Sequence, residues 1–407
     1  MSTGSAINCP VIRWIEADQE KSACWRSESG TSPPKRVVIA DDRMTADTAY
    51  RLACEGTALL WRGDFQNARQ LLQAMTRRAN EKPRERKNKK IPATPTEAFH
   101  LHRLAQSQRA RTLGLLLIPF NADHSIPLRR APDVHQACIE AYGAATEAQP
   151  YVASLRGLQG MIGAYEWRKN GVEIPALGAR IHPHYGVFAP IRSEYIGLVN
   201  DAPLPELTET HSVAFDIGTG TGVLAAVLAR RGIKHIVATD QDQRALACAR
   251  ENIARLNLAA QVDVVQADLF PEGRAALVVC NPPWLPARPS SPLEHAIFDP
   301  ESRMLRGFLH GLAAHLESGG EGWLILSDLA EHLGLRTRAE LLAAIDTAGL
   351  QVLGKIDVKP HHPRVSDTSD PLHAARAAEL TLLWRLTAKQ YRFMPLNHFQ
   401  YFLPNLL

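Results

Sequence analysis

The sequence predicts an α/β protein. Its C-terminal half should carry a mostly parallel sheet of seven strands with an antiparallel last strand, preceded by an α-rich N-terminal domain. Three observations carry that expectation. Val213 to Gly232 switches from a short β-prone run, Val213 to Ile217, to a helical pattern across a cluster of glycines, with Val223, Leu224, Val227 and Leu228 on one face. Apolar runs at 235–239, 262–266, 276–280 and 322–327 then alternate with helical stretches, as in β-α-β units. Two closing runs, 352–358 and 379–386, have no helical crossover between them and read as an edge hairpin.

Taken in order, the first element is a ligand-binding turn. Gly218, Gly220 and Gly222 permit positive φ and let backbone N–H groups approach a ligand with no Cβ in the way. A dinucleotide fingerprint would need a third glycine where Val223 stands, and a phosphate-binding loop would need Lys-Ser/Thr, which does not follow. The second strand ends at Asp240, whose carboxylate can accept both ribose hydroxyls of a nucleoside; Asp242 reads as a helix cap. At the end of the third strand Asp268 could receive an adenine amino group, with Leu269 against the ring face. A turn-forming role for Asp268 is equally open. The fourth strand runs into Asn281-Pro-Pro-Trp284, where two prolines end the strand and leave the Pro282 carbonyl unpaired.

The order Asp216-Ile-Gly-Thr-Gly-Thr-Gly222, Thr239-Asp240, Ala-Asp268-Leu-Phe and Asn281-Pro-Pro-Trp284 resembles the class I S-adenosylmethionine (SAM) amino-methyltransferases. Within them it is most similar to the HemK/PrmC-type glutamine methyltransferases, which have Asn-Pro-Pro-Tyr where this chain has Trp284. Pro190-Ile-Arg192-Ser-Glu194 is similar to their Pro-Arg-Pro-Glu-Thr-Glu, with mismatches. The resemblance spans residues 180 to 386. It implies a Rossmann-like methyltransferase sheet and SAM as cofactor, bound by Asp216, Gly218, Thr219, Gly220, Gly222, Asp240, Asp268 and Leu269. It places Asn281, Pro282, Pro283 and Trp284 at the acceptor, and Phe188 and Arg192 over the pocket as substrate-binding residues.

The chemistry accounts for these residue types. SAM carries an activated methyl, so the protein must align a nucleophile in line rather than supply a strong acid or base. An amide or nucleobase nitrogen is a poor nucleophile because its lone pair is delocalised. Asn281 Oδ1 and the Pro282 carbonyl, each accepting one N–H, would favour the rehybridised, charge-developing nitrogen, and Trp284 would stack on a flat substrate. The expected acceptor is a protein glutamine amide. The alternatives are an exocyclic amine of RNA or DNA and, in a different class, a non-catalytic SAM- or RNA-binding protein.

Composition sets the outer bounds. With 407 residues, 45% hydrophobic and 22% charged, the chain is of ordinary globular type. It has no apolar run of membrane-spanning length and no signal-like N-terminus, so a cytoplasmic protein with no membrane partner is expected. Six scattered cysteines lack metal-ligand spacing and read as reduced thiols; no metal is expected, since His182 and His184 have no evident third ligand. Four segments follow: a poorly defined 1–43, an α-rich substrate-recognition domain over 44–175, the methyltransferase domain over 176–387 and a tail over 388–407. Within the second, helical spacing runs from Thr45 to Arg78, from Thr96 to Pro119 and from Val134 to Trp167. The 77–90 run holds eight Lys/Arg and reads as a solvated loop that could meet phosphates of a macromolecular substrate. Arg288-Pro-Ser-Ser-Pro292 reads as a lid, and His361, His362 and Arg364 as a polar surface loop.

Overall fold

The computed structural model describes residues 9–81, 92–144, 149–206, 213–289, 292–360 and 367–389. Most of the basic run, the tip of the 288–292 loop, the His361–Arg364 segment and all of the tail beyond residue 389 lie outside the described residues.

The N-terminal part departs from the α-rich expectation. It is α/β, with strands β1 (Val11–Glu16), β2 (Gln19–Trp25), β3 (Arg36–Ala40), β4 (Thr57–Trp61), β5 (Leu116–Phe120) and β6 (Tyr151–Ser154) forming one sheet in the order β1-β2-β6-β5-β4-β3. Residues 11–40, within the poorly defined segment 1–43, supply three of its strands. The physical reason lies in β4 and β5. Every residue of Thr-Ala-Leu-Leu-Trp and Leu-Leu-Ile-Pro-Phe is buried, and a strand covered on both faces has no alternation to separate it from a buried helix. The helices Ala46–Cys54, Phe65–Asn80 and Leu155–Asn170 cover one face around Trp61, Phe65, Leu72 and Met75. On the other face Ile12, Trp14, Trp25, Leu60 and Leu117 form a second core, and the sheet curls until its edge strands β1 and β3 touch. Arg62 at the end of β4 closes the curl with a two-pronged bond to Glu16 at 2.9 and 2.8 Å.

A second correction concerns the cysteines. Cys9 and Cys24 form a disulfide, their Cα atoms 5.7 Å apart, while Cys54, Cys138, Cys248 and Cys280 are free thiols. Cys24 lies on β2 and Cys9 just ahead of β1, so strand pairing brings the two together across a separation that sequence spacing does not reveal.

A small hairpin of β7 (Val172–Ile174) and β8 (Ala179–Ile181) leads into the second sheet. That sheet comprises β9 (Val213–Ile217), β10 (His235–Asp240), β11 (Val262–Gln266), β12 (Ala275–Cys280), β13 (Leu316–Ser327), β14 (Leu350–Val358) and β15 (Thr381–Ala388), in the order β11-β10-β9-β12-β13-β15-β14. The strands pair in parallel except β15, which is antiparallel to both neighbours. This is the expected Rossmann-like methyltransferase arrangement, and the order reverses between β9 and β12. In an open α/β sheet that switch point leaves a crevice at the carboxyl ends of the strands, where the Gly218–Gly222 turn and Asn281–Trp284 lie side by side.

Candidate methyl-transfer site

The turn after β9 is built from the buried Asp216. Its Oδ2 accepts Thr219 Oγ1–H at 2.6 Å and the Ala225 N–H at 3.0 Å, tying the loop to the first turn of the helix Val223–Arg230. Gly218, Gly220 and Gly222 all adopt positive φ, at 72°, 55° and 81°. They do different work. A Cβ on Gly222 would lie 3.3 Å from Ala249 Cα, so this glycine lets two helices approach, whereas a Cβ on Gly220 would meet nothing within 4 Å, which marks the open side of the turn. Gly218 faces Met304.

Burial pushes the Asp216 carboxyl up from the usual 3.8 to about 6, against the two hydrogen bonds that lower it. The folded state therefore binds this proton more tightly than the unfolded chain. The associated stability is complete below pH 3.8 and disappears as pH rises through about 6. Asp216→Asn should remove that dependence. Urea unfolding at pH 4 and pH 7 should show a stability difference shifted by about 2 kcal/mol relative to wild type, and an unchanged difference would mean that Asp216 does not titrate there.

Asp240, at the end of β10, accepts the Gly220 N–H at 3.0 Å on Oδ2 and the Asp242 N–H at 3.0 Å on Oδ1. Each oxygen keeps a lone pair, so the carboxylate can still receive a vicinal diol. Asp242 is the helix cap expected of it, accepting from Arg244 N at 2.8 Å. Asp268 stands apart with its side chain 74% exposed, 3.9 Å from Arg303. Leu269 holds φ +74°, a rare conformation for a leucine. Its carbonyl accepts Thr239 Oγ1–H at 2.6 Å and its side chain packs against Gly307 on the helix Arg303–His315. Side-chain packing of Leu269 is thus directed at that helix.

Asn281 emerges from β12 beside this turn, with the buried Cys280 thiol pushed well above its usual range by burial. The buried Pro282 and the half-buried Pro283 end the strand. Trp284 Nε1–H donates to Asn281 Oδ1 at 2.8 Å, so the indole takes one lone pair of the atom expected to hold the acceptor and leaves the other. One face of Trp284 is covered by the Arg192 guanidinium, 5.1 Å from the ring centroid. Arg192 itself is bonded to Glu194 at 2.7 Å and Glu379 at 3.1 Å. It therefore supports the site through Trp284, while Phe188 is 37% exposed nearby in sequence.

Several neighbours carried no sequence signal. Met304 reaches Gly218, and Asp299 caps the helix that carries it, accepting from Met304 N at 3.0 Å and Leu305 N at 3.1 Å. From the N-terminal part, the helix Pro95–Leu113 lays Phe99 against Leu285 and Phe298, and Arg103 sits 3.7 Å over the Phe298 ring while donating to the Arg288 carbonyl at 2.7 Å. The segment after Asn281–Trp284 is thus walled by the first module.

His182 and His184 are each bonded to other protein groups. The former bonds the Arg168 carbonyl and the latter Glu251, both through 2.6–2.7 Å contacts. Among the described residues no group of three or more His, Cys, Asp or Glu is placed to hold a metal ion, and no helix is long and apolar enough to cross a membrane.

Residues 180–336 match the family described as methyltransferase small domain. The chain is 33% identical over 181 residues to a release factor glutamine methyltransferase from Cereibacter sphaeroides, covering 41% of this chain and 62% of that protein. It is 31% identical over 169 residues to the release factor glutamine methyltransferase of Caulobacter vibrioides, covering 39% and 58%. A ribosomal protein L11 methyltransferase from Pelotomaculum thermopropionicum is 48% identical over 69 residues, covering 16% and 22%. The chain thus spans less than two thirds of the length of each of these relatives.

Proposed function

We propose, from the premise that residues 180–336 are a methyltransferase small domain, that this chain is a SAM-dependent N-methyltransferase acting on a planar nitrogen, a protein glutamine amide before a nucleobase amine. The observation that carries the reading is Asn281 Oδ1, fixed by Trp284 with one lone pair free, next to the open face of the Gly218–Gly222 turn. Asp240 and the Gly220 face would hold the nucleoside of SAM, with Asp216 and Thr219 shaping the turn and Asp268 and Leu269 at its far side. When bound, SAM supplies an electrophilic methyl. Asn281 Oδ1 and the Pro282 carbonyl accept the two N–H groups of the acceptor, concentrate electron density on its nitrogen and hold it in line. The glutamine preference comes from the two release factor glutamine methyltransferases among the relatives.

Because the first module walls the acceptor side, it is proposed to select a macromolecular substrate. Arg103→Ala should raise the acceptor KM roughly 2- to 30-fold, the value of one cation–π contact, with SAM affinity unchanged. A loss confined to SAM binding would contradict that assignment. The function itself is tested by radiolabelled methyl transfer from SAM to a lysate lacking this gene product, split between protease and nuclease. Label lost to protease, with methylglutamine in the digest, supports the amide reading. Label lost to nuclease moves the acceptor to a nucleobase, and no label in either arm overturns methyl transfer.

A further inference from the structure

We propose that Glu379 is a positioning residue for this site: with Arg192 it clamps the plane of Trp284 and thereby dictates which end of the Asn281 amide faces the acceptor. The inference rests on the methyl-transfer reading, yet the residue lies outside the matched segment 180–336.

The chain of contacts is continuous. Glu379 is fully buried immediately ahead of β15, and its Oε1 accepts Ser327 Oγ–H at 2.7 Å and Arg192 at 3.1 Å. Ser327 ends β13, the strand beside β12, on which Cys280 pairs with Leu324. Arg192 also donates from Nε to Glu194 at 2.7 Å. A guanidinium held by two carboxylates has little rotational freedom and presents a fixed plane, and its Cζ lies over the Trp284 ring, 5.1 Å from the centroid. The indole N–H then reaches Asn281 Oδ1 at 2.8 Å.

The last contact has a chemical consequence. An asparagine amide can flip, exchanging its acceptor oxygen for an NH2 donor. Methyl transfer to nitrogen needs the acceptor end toward the substrate N–H, and a donor there would repel it. Of the two ends of the Asn281 amide, Oδ1 alone can accept the Trp284 N–H, so a fixed indole excludes the flipped amide. Stability alone does not account for the clamp. Glu379 Oε2 is buried with no hydrogen-bond donor among the described residues, and a buried carboxylate with one oxygen unsatisfied is a poor stabiliser.

The test uses the full chain with Glu379→Gln, Arg192→Lys and Arg192→Ala. Misplacing a positioned group can cost on the order of a hundredfold in rate. The expected result is a kcat about 10- to 100-fold lower in all three variants, with acceptor KM and SAM affinity nearly unchanged. Lys should fail to rescue, because an ammonium keeps the charge pair and loses the plane. Wild-type kcat in Arg192→Lys alongside a poor Arg192→Ala would make the pair a structural tie and overturn the proposal. A second readout needs no turnover. The fluorescence of Trp284, isolated as the difference between each protein and its Trp284→Phe counterpart, should shift to the red in Glu379→Gln, and an unshifted spectrum overturns the clamp. Failure of methyl transfer in the wild type would strike the function alone, since the spectral comparison still decides the clamp.

Discussion

Asn281→Ala is expected to cut turnover by orders of magnitude while SAM binds nearly as before. The side chain contributes nothing to the turn that would hold the nucleoside. Its Oδ1 faces Trp284 and, on the proposed mechanism, the acceptor nitrogen. Losing one preorganised polar group of this kind lowers kcat by about 10²–10³-fold. The alanine also leaves the Trp284 N–H without its partner, so the stacking surface loosens together with the acceptor contact. Isothermal titration with SAM and a methyl-transfer assay on the same preparation separate the two effects. Wild-type turnover in the variant would remove the mechanism, and lost SAM affinity would move Asn281 from the acceptor to the cofactor side.

Asp240→Ala should have the opposite profile. The carboxylate organises the turn from outside by accepting the Gly220 N–H, and it is the group at the end of β10 able to receive two ribose hydroxyls. Hydrogen bonds to a charged group are worth about 1.5–3 kcal/mol each, so SAM affinity should fall by roughly 100-fold or more. Asp240→Asn keeps one acceptor oxygen and should fall between alanine and wild type. Burial raises the Asp240 carboxyl above its usual range. SAM binding should therefore weaken as pH falls toward the titration of this group, because the protonated acid loses an acceptor site. Titrations at neutral and mildly acidic pH check this, and pH-independent binding would count against the ribose assignment.

How much of this was legible beforehand follows from residue pattern. Val213–Ile217 and Val262–Gln266 coincide with the strands observed, and Asp242 caps the helix assigned to it. In these segments local propensity, turn chemistry and burial agree. In the first module they do not. Thr57–Trp61 sits between two helices with buried residues at every position, so the helical spacing of Leu52, Leu59, Leu60 and Phe65 continued across a strand. The signals that could have separated them were Gly56 and the Gly63-Asp64 pair. Gly56 has φ +78°, and a Cβ on Gly63 would collide with Asp42.

Sequence alone was sufficient to place the second sheet, the glycine turn, Asp240 and Asn281–Trp284 in the fold, because each position is set by neighbours a few residues apart whose backbone demands are specific. The six-stranded first sheet, the Cys9–Cys24 disulfide, the wall of Phe99 and Arg103 and the Glu379–Arg192–Trp284 clamp came only from the folded chain. They join residues as far apart in the chain as Phe99 and Phe298. Such contacts depend on the register and curl of whole sheets, and neither is encoded in the local periodicity of the segments involved.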